Sequence, residues 1–278
     1  MSLILLHLAT TLSYALLSFL IWQQLRTGER LSRRLVWLTP WLNTLTLLPI
    51  CLHFVLTYHY SLGSDGLHLG LGNFTSLIIA TNCLIYVAHN FYDGKNSLPA
   101  ILLPFGALAS LLPLLDGTSA VVPNSDLPMF KAHLILSIVA YGLLSVSLIH
   151  ALLMSYLEKN LHRHKISPLI DNLPPLLKLE NLLFTIALLG FAVLTAALLS
   201  GFFVSFAIQS AIIPLSHKTI FSIASWSLFA SLLIGRKFLG WRGRIARKIL
   251  VIGFILLLLA YLGSRFVSEI ILRNPQYY

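Results

Sequence analysis

Charge is what this chain has least of. Only 10% of its 278 residues are Asp, Glu, Lys or Arg, while 57% are hydrophobic, a balance that cannot furnish the polar shell of a water-soluble domain. Acidic residues are scarcer still, nine against nineteen basic ones. None of them falls at mid-depth in an apolar run, where a small-solute transporter would need one. Cysteine occurs twice, at Cys51 and Cys83, each inside an apolar run. That excludes a disulfide framework and a thiolate metal centre, and leaves two small packing residues. There is no internal repeat, no low-complexity tract and no pair of broken helices in matching halves, the usual pointer to a secondary transporter.

Long apolar runs are what the chain has in abundance. A helix needs about 20 residues to cross a hydrocarbon layer of roughly 30 Å, and open sheet edges or loops cannot satisfy their backbone groups there. The runs predict an all-α polytopic transmembrane bundle of about eight spans: Leu3 to Leu25, Leu35 to Tyr58, Phe74 to Ala88, Pro99 to Leu115, Phe130 to Tyr156, Leu182 to Phe203, Thr219 to Leu233 and Ile249 to Ser268. The first has no basic segment before it and no small-residue cleavage site after it, so it reads as a retained span. Pro40 and Pro49 predict a kink in the second. No connection is long enough for a separate soluble module, so residues 1–278 read as a single transmembrane domain.

The basic residues then orient the bundle, because Lys and Arg stay on the cytoplasmic side. Arg26, Arg30, Arg33 and Arg34 follow the first span, Lys95 the third, Lys159, Arg163, Lys165 and Lys178 the fifth, and Arg236, Lys237, Arg242, Arg244, Arg247 and Lys248 the seventh; only Lys131, Lys218, Arg265 and Arg273 remain for the other side. Both termini are expected outside. The net charge of +10 then reflects topology and attraction to anionic headgroups of the bilayer, not nucleic-acid binding. The longest loop, Leu157 to Asn181, is basic and interrupted by Pro168, Pro174 and Pro175, with room for a short amphipathic piece on the inner headgroups. Thr57 to Asn73 and Asp116 to Met129 are rich in Gly, Asp, Ser and Pro and read as outer turns able to lid an outward-facing cavity. Asn43, Asn82 and Gln209 read as interhelical hydrogen-bond partners.

The histidines sort by depth at about 1.5 Å of rise per residue. His7, His53, His59, His68, His133 and His217 fall towards the outer side, and His89, His150, His162 and His164 towards the inner. His133 opens the fifth span and His217 precedes the seventh, so helix parity brings both to one membrane surface. Two neutral imidazoles there are what the axial positions of an iron porphyrin need. Lys131 and Lys218 flank them, and Arg265 lies near the outer end of the eighth span; these three cations are suited to the two haem propionates. Trp226, Phe202 and Phe203 are placed to cover the porphyrin faces. On the bland reading a histidine at a helix start sits in the interfacial region and a nearby Lys snorkels to water. His150, deeper on the fifth span, is a candidate inner relay ligand if haem passes through, or a buried imidazole bonded to a neighbour.

The second half carries a resemblance. Phe130-Lys131-Ala132-His133 running on to Ala140-Tyr141, Leu215-Ser216-His217-Lys218-Thr219-Ile220-Phe221 with Trp226, Gly240-Trp241-Arg242-Gly243-Arg244 and Ala260-Tyr261-Leu262-Gly263-Ser264-Arg265 resemble the cytochrome c assembly protein family, on its HemX-like side, from about residue 70 to 268. The resemblance implies a protein of the bacterial inner membrane, where the Asn73-Phe74-Thr75 triplet would go unglycosylated. It also implies haem carried across the membrane or presented at the outer face for attachment to apocytochrome thiols. An outer histidine opening a helix ahead of an Ala-Tyr pair is a haem ligand in that family, which maps onto His133. The tryptophan-rich loop that cradles the haem edge in its lyase members has no counterpart, since Phe203 to Ser216 contains no tryptophan, and a second outer histidine is missing near Gly263. The chain is therefore not expected to be a haem lyase itself, and the pairing of His217 with His133 rests on spacing.

Three functions from different classes follow. The first is a haem-binding accessory of cytochrome c maturation, with assembly proteins or apocytochrome as partners. The second is a cofactor-free scaffold or regulatory subunit keeping the family fold, for instance of a tetrapyrrole enzyme or a transporter, which the missing tryptophan loop favours. The third is a small-solute transporter, which the absence of mid-depth acids disfavours.

Overall fold

The structure is a computed structural model that describes residues 3–27, 41–63, 66–93, 97–116, 121–122, 124–162, 173–209 and 216–266. Helices α1 (Leu3–Thr27), α2 (Leu42–Leu45), α3 (Leu47–Ser61), α4 (Leu71–Asp93) and α5 (Ser97–Ala109, followed by a 3-10 turn Leu112–Leu115) come first. They are followed by α6 (Pro128–His162), α7 (Leu176–Gln209), α8 (His217–Phe238) and α9 (Gly243–Leu258), which continues through a π turn Leu259–Gly263 into α10 (Ser264–Phe266). An antiparallel hairpin of β1 (Leu62–Gly63) and β2 (Gly66–Leu67) joins α3 to α4. Seven of the helices are long and apolar enough to cross a membrane, so the chain is the all-α polytopic bundle its composition demands. Residues 35–40 of the second expected span and 267–268 of the eighth lie outside the described residues, as do most of the expected loop around Pro168 and Pro40 itself.

The helices outrun the expected spans. The loop from Leu157 to Asn181 shortens, because α6 continues to His162 and α7 begins at Leu176. Apolar runs mark where hydrocarbon ends, whereas a helix ends only where its backbone bonds do. Glu158 and Glu180, taken for loop residues, sit on these extensions and are held there by ion pairs to Arg247 and Arg236.

The described helices form two compact units. In the first, Met1–Ser119 with Asn160–Pro174, α1 packs on α3 and α5, and α4 on α3 and α5. The second span breaks at Thr46, between α2 and α3. Pro49 explains the break, since a proline ring collides with the carbonyl four residues earlier, here Leu45. Pro104 stands inside α5 and leaves the Ala100 carbonyl without its amide. That carbonyl accepts instead from the Trp22 indole of α1 at 3.1 Å. At the start of α4 both Asp116 oxygens accept backbone bonds, from Gly72 and Asn73, at 2.6 Å each. The Asn73 side chain is buried and donates to Ser61 Oγ at 2.8 Å, so the glycosylation triplet is closed by packing.

The second unit, Ala120–Lys159 with Pro175–Tyr278, is an antiparallel arrangement in which α7 touches both α6 and α8. Leu143 and Leu144 of α6 lie over Gly190, and His133 lies over Gly201; Trp226 of α8 stacks on Phe191 at 5.5 Å. Tyr141 of α6 donates to the Leu257 carbonyl of α9, beside the π turn, and Ser225 of α8 donates to Gly253 of α9 at 2.7 Å. One end is ionic. Glu158 binds Arg247, with Arg244 at 3.6 Å, and Glu180 binds Arg236 at 3.4 Å, tying the end of α6 to the start of α9 and the start of α7 to the end of α8. The other end carries His133, Ser200 and the first turn of α8.

Two outcomes follow from this packing. Replacing Trp22 by Phe leaves the Ala100 carbonyl buried and unpaired, and should cost about 1–2 kcal/mol in denaturant unfolding of the detergent-solubilised protein; an unchanged midpoint would mean water or another donor reaches it. Glu158→Gln should cost about 1–2 kcal/mol, below the loss for a fully buried pair because Glu158 keeps some solvent contact. It should cost less still in the Arg247→Gln background, and strict additivity would show that the two residues do not interact.

Candidate functional site

His133 lies in the second turn of α6 and faces α7. Its Nδ1 is 3.0 Å from the Ala197 carbonyl oxygen and 3.0 Å from Ser200 Oγ. A carbonyl can only accept, so Nδ1 carries a proton, and in the neutral form of the ring the lone pair is then on Nε2. Ser200 itself donates to Ala197 at 2.8 Å, which turns the hydroxyl proton away from the ring and an oxygen lone pair towards it. Nε2 makes no hydrogen bond among the described residues. This is the arrangement of a metal-ligating histidine, one nitrogen anchored to a carbonyl and the other bare. The close approach depends on Gly201, where an added Cβ would stand 3.0 Å from the imidazole Cε1.

His217 is the first residue of α8. Ser216 caps that helix, its Oγ accepting from the Thr219 amide at 3.3 Å, so His217 stands on the first turn, and its side chain is exposed. The contacts between α7 and its neighbours place the starts of α6 and α8 at the same end of the unit. No hydrogen bond joins His133 to His217 among the described residues. Lys131 is exposed on the first turn of α6 and Lys218 is half-buried. Arg265 lies on α10, with its side chain outside the described residues. Trp226 donates from Nε1 to Thr195 Oγ1 at 2.9 Å, which together with the Phe191 stack fixes its ring against α7. Among the described residues no three His, Cys, Asp or Glu side chains gather into a metal cluster; an iron porphyrin, which brings four nitrogens of its own, takes only two axial ligands from a protein.

Two further histidines, His7 and His53, are committed elsewhere. His7 donates from Nδ1 to the Ser110 carbonyl at 2.9 Å, and its Nε2 lies 2.9 Å from the Tyr60 hydroxyl. His53 is fully buried, with Nδ1 3.2 Å from the Tyr14 hydroxyl and Nε2 2.7 Å from Ser76 Oγ, which in turn donates to the Ala109 carbonyl at 2.8 Å. Both rings have both nitrogens in use, so they fasten helices and do not fit a ligand role. His150 bonds through Nδ1 to the Val146 carbonyl of its own helix at 2.9 Å. Sequence reasoning singled out His133 as a candidate but did not supply its contacts Ala197, Ser200 and Gly201. The small pair Ser200-Gly201 inside an apolar run was the available signal, since small residues mark close helix contacts in membranes.

The Gly240-to-Arg244 run proves to be the turn between α8 and α9. Gly240 and Gly243 take left-handed backbone, with φ +65° and +55°, and Trp241 folds back onto Gly235 so closely that any Cβ there would collide with the indole. Its amide donates to the Gly235 carbonyl at 3.1 Å.

The sequence profile described as Cytochrome C assembly protein matches residues 41–272. The chain is 31% identical over 215 residues to the inner membrane protein YpjD of Escherichia coli K12, covering 75% of this chain and 78% of that protein. It is 30% identical over 212 residues to an Azospirillum brasilense protein described as an uncharacterized 28.8 kDa protein in the nifR3-like 5' region, covering 74% of this chain and 77% of that one. No solved structure matches. With its multi-pass helices and a match extending over both units, this inner-membrane chain belongs to the cytochrome c assembly protein family.

Proposed function

We propose that the protein binds haem at the outward-facing end of its second unit and hands it on, or holds it, during cytochrome c maturation. The observation that carries this reading is the setting of His133: Nδ1 is anchored to Ala197 and Ser200, and Nε2 has no hydrogen bond among the described residues. Iron porphyrin is the cargo whose axial position such a nitrogen fills. His217, exposed on the first turn of α8 at the same end, is the second ligand. Lys131, Lys218 and Arg265 meet the propionates through charge-assisted bonds, and Trp226, held by Thr195 and Phe191, borders the porphyrin. The basic residues clustered at the opposite end set the outward orientation through their retention on the cytoplasmic side. The receiving partner is an assembly protein or apocytochrome.

Family membership supports the haem reading, and the absence of tryptophan from Phe203 to Ser216 supports the other one, a cofactor-free scaffold that keeps the fold. Haem titration of the purified protein separates them. Wild type should take up about one haem per chain with a low-spin Soret spectrum. His133→Ala and His217→Ala should insert and elute normally, because the helix packing does not run through Nε2 or the exposed ring, yet each should lose most of the bound haem. Saturable uptake that both variants retain would remove these two ligands, and no uptake by wild type would favour the scaffold.

A further inference from the structure

We infer that Ser200 is a positioning residue, which fixes the ring of His133 so that Nε2 is the ligating atom; its bearing on haem rests on the function proposed above. Three features converge. The Ser200 hydroxyl spends its proton on Ala197 at 2.8 Å and therefore meets His133 Nδ1 as an acceptor at 3.0 Å. The Ala197 carbonyl lies 3.0 Å from the same Nδ1, but within α7 it also serves the helix ladder, so the hydroxyl is the acceptor free to take the larger share. Gly201 then closes the remaining space, since a Cβ there would stand 3.0 Å from Cε1 and 3.4 Å from Nδ1.

The chemistry of the bond sets its effect. An acceptor on Nδ1–H holds the proton on that nitrogen and makes Nε2 more basic, a stronger donor to iron. It also restricts ring rotation, so less freedom is lost when Nε2 is engaged. Neither Ser200 nor Gly201 touches the ligand in this scheme; both act through the imidazole. Ser200 lies in the last turns of a 34-residue helix, where the loss of one hydroxyl leaves α7 intact.

The test uses the full-length protein in detergent. Histidine-labelled apoprotein, with the His133 signals identified by their loss in His133→Gln, should show a protonated Nδ1 and a bare Nε2. In Ser200→Ala the Ala197 carbonyl is the one remaining acceptor for Nδ1, so a fraction protonated on Nε2 should become detectable, and Ser200→Thr should restore the wild-type pattern. In the haem-loaded protein, Ser200→Ala should lower affinity about tenfold and raise the midpoint potential, as a less basic ligand favours ferrous iron, with Thr again restoring both. A merely structural serine would change the unfolding midpoint without moving the tautomer or the potential. An unchanged nitrogen pattern in Ser200→Ala overturns the inference. If wild type takes no haem while its tautomer still responds to Ser200, the haem reading fails and the positioning role stands.

Discussion

Hydrocarbon offers no hydrogen-bond partner, and the tertiary structure of this chain is organised by that constraint. A helix satisfies its own ladder, so what remains is every polar side chain and every carbonyl that a proline or an irregular turn disturbs. In each unit these leftovers meet across helix contacts. The Trp22 indole serves the Ala100 carbonyl that Pro104 leaves unmet; Tyr141 reaches Leu257 beside the π turn; Ser225 reaches Gly253; and His53 with Ser76 makes a relay ending on Ala109. Such bonds are individually modest in membranes, around 1 kcal/mol, but each specifies a register between two helices. His133 obeys the same rule with Nδ1, and differs in that its second nitrogen is left available.

Small residues make those bonds reachable. Gly106 lies under Tyr14, Gly190 under Leu144, Gly201 under His133 and Gly235 under Trp241, and each lets a large side chain come nearer its neighbour than any Cβ would allow. The second unit thereby acquires two unlike ends. At one, four helices are tied through Glu158, Glu180, Arg236 and Arg247, with Trp241 closing the turn. At the other, the His133 imidazole is anchored to α7 through Nδ1, at the end where α6 and α8 begin.

How much of this the sequence discloses differs by feature. Fold class was legible because a bilayer sets a minimum length for every apolar run; of about eight expected spans, the described residues hold seven helices of span length. Helix ends were not, since Glu158 and Glu180 lie beyond the apolar runs, and their ion pairs are to arginines more than fifty residues away. His133 was legible as a candidate from its place at a helix start and from family resemblance. Its partners were not: Ala197 acts through a backbone carbonyl, which every residue has, and Ser200 through a proximity that spacing along one helix does not encode. His7 and His53 show the reverse. Depth alone grouped them with His133, and only their paired contacts reveal rings that are fully spent. The Gly-Trp-Arg-Gly-Arg run marked the family by sequence, and its backbone explains both glycines as left-handed turn.

The proposed function puts the ionic end at the cytoplasm and the imidazole end outside, and cysteine labelling tests that sidedness most directly. In a Cys51→Ala, Cys83→Ala background, single cysteines would replace Lys131 at the start of α6 and Lys237 at the end of α8, both exposed. A membrane-impermeant maleimide applied to intact cells should label the first, and should reach the second only after the inner membrane is permeabilised. The reverse pattern would put His133 on the cytoplasmic side and contradict delivery of haem at the outer face.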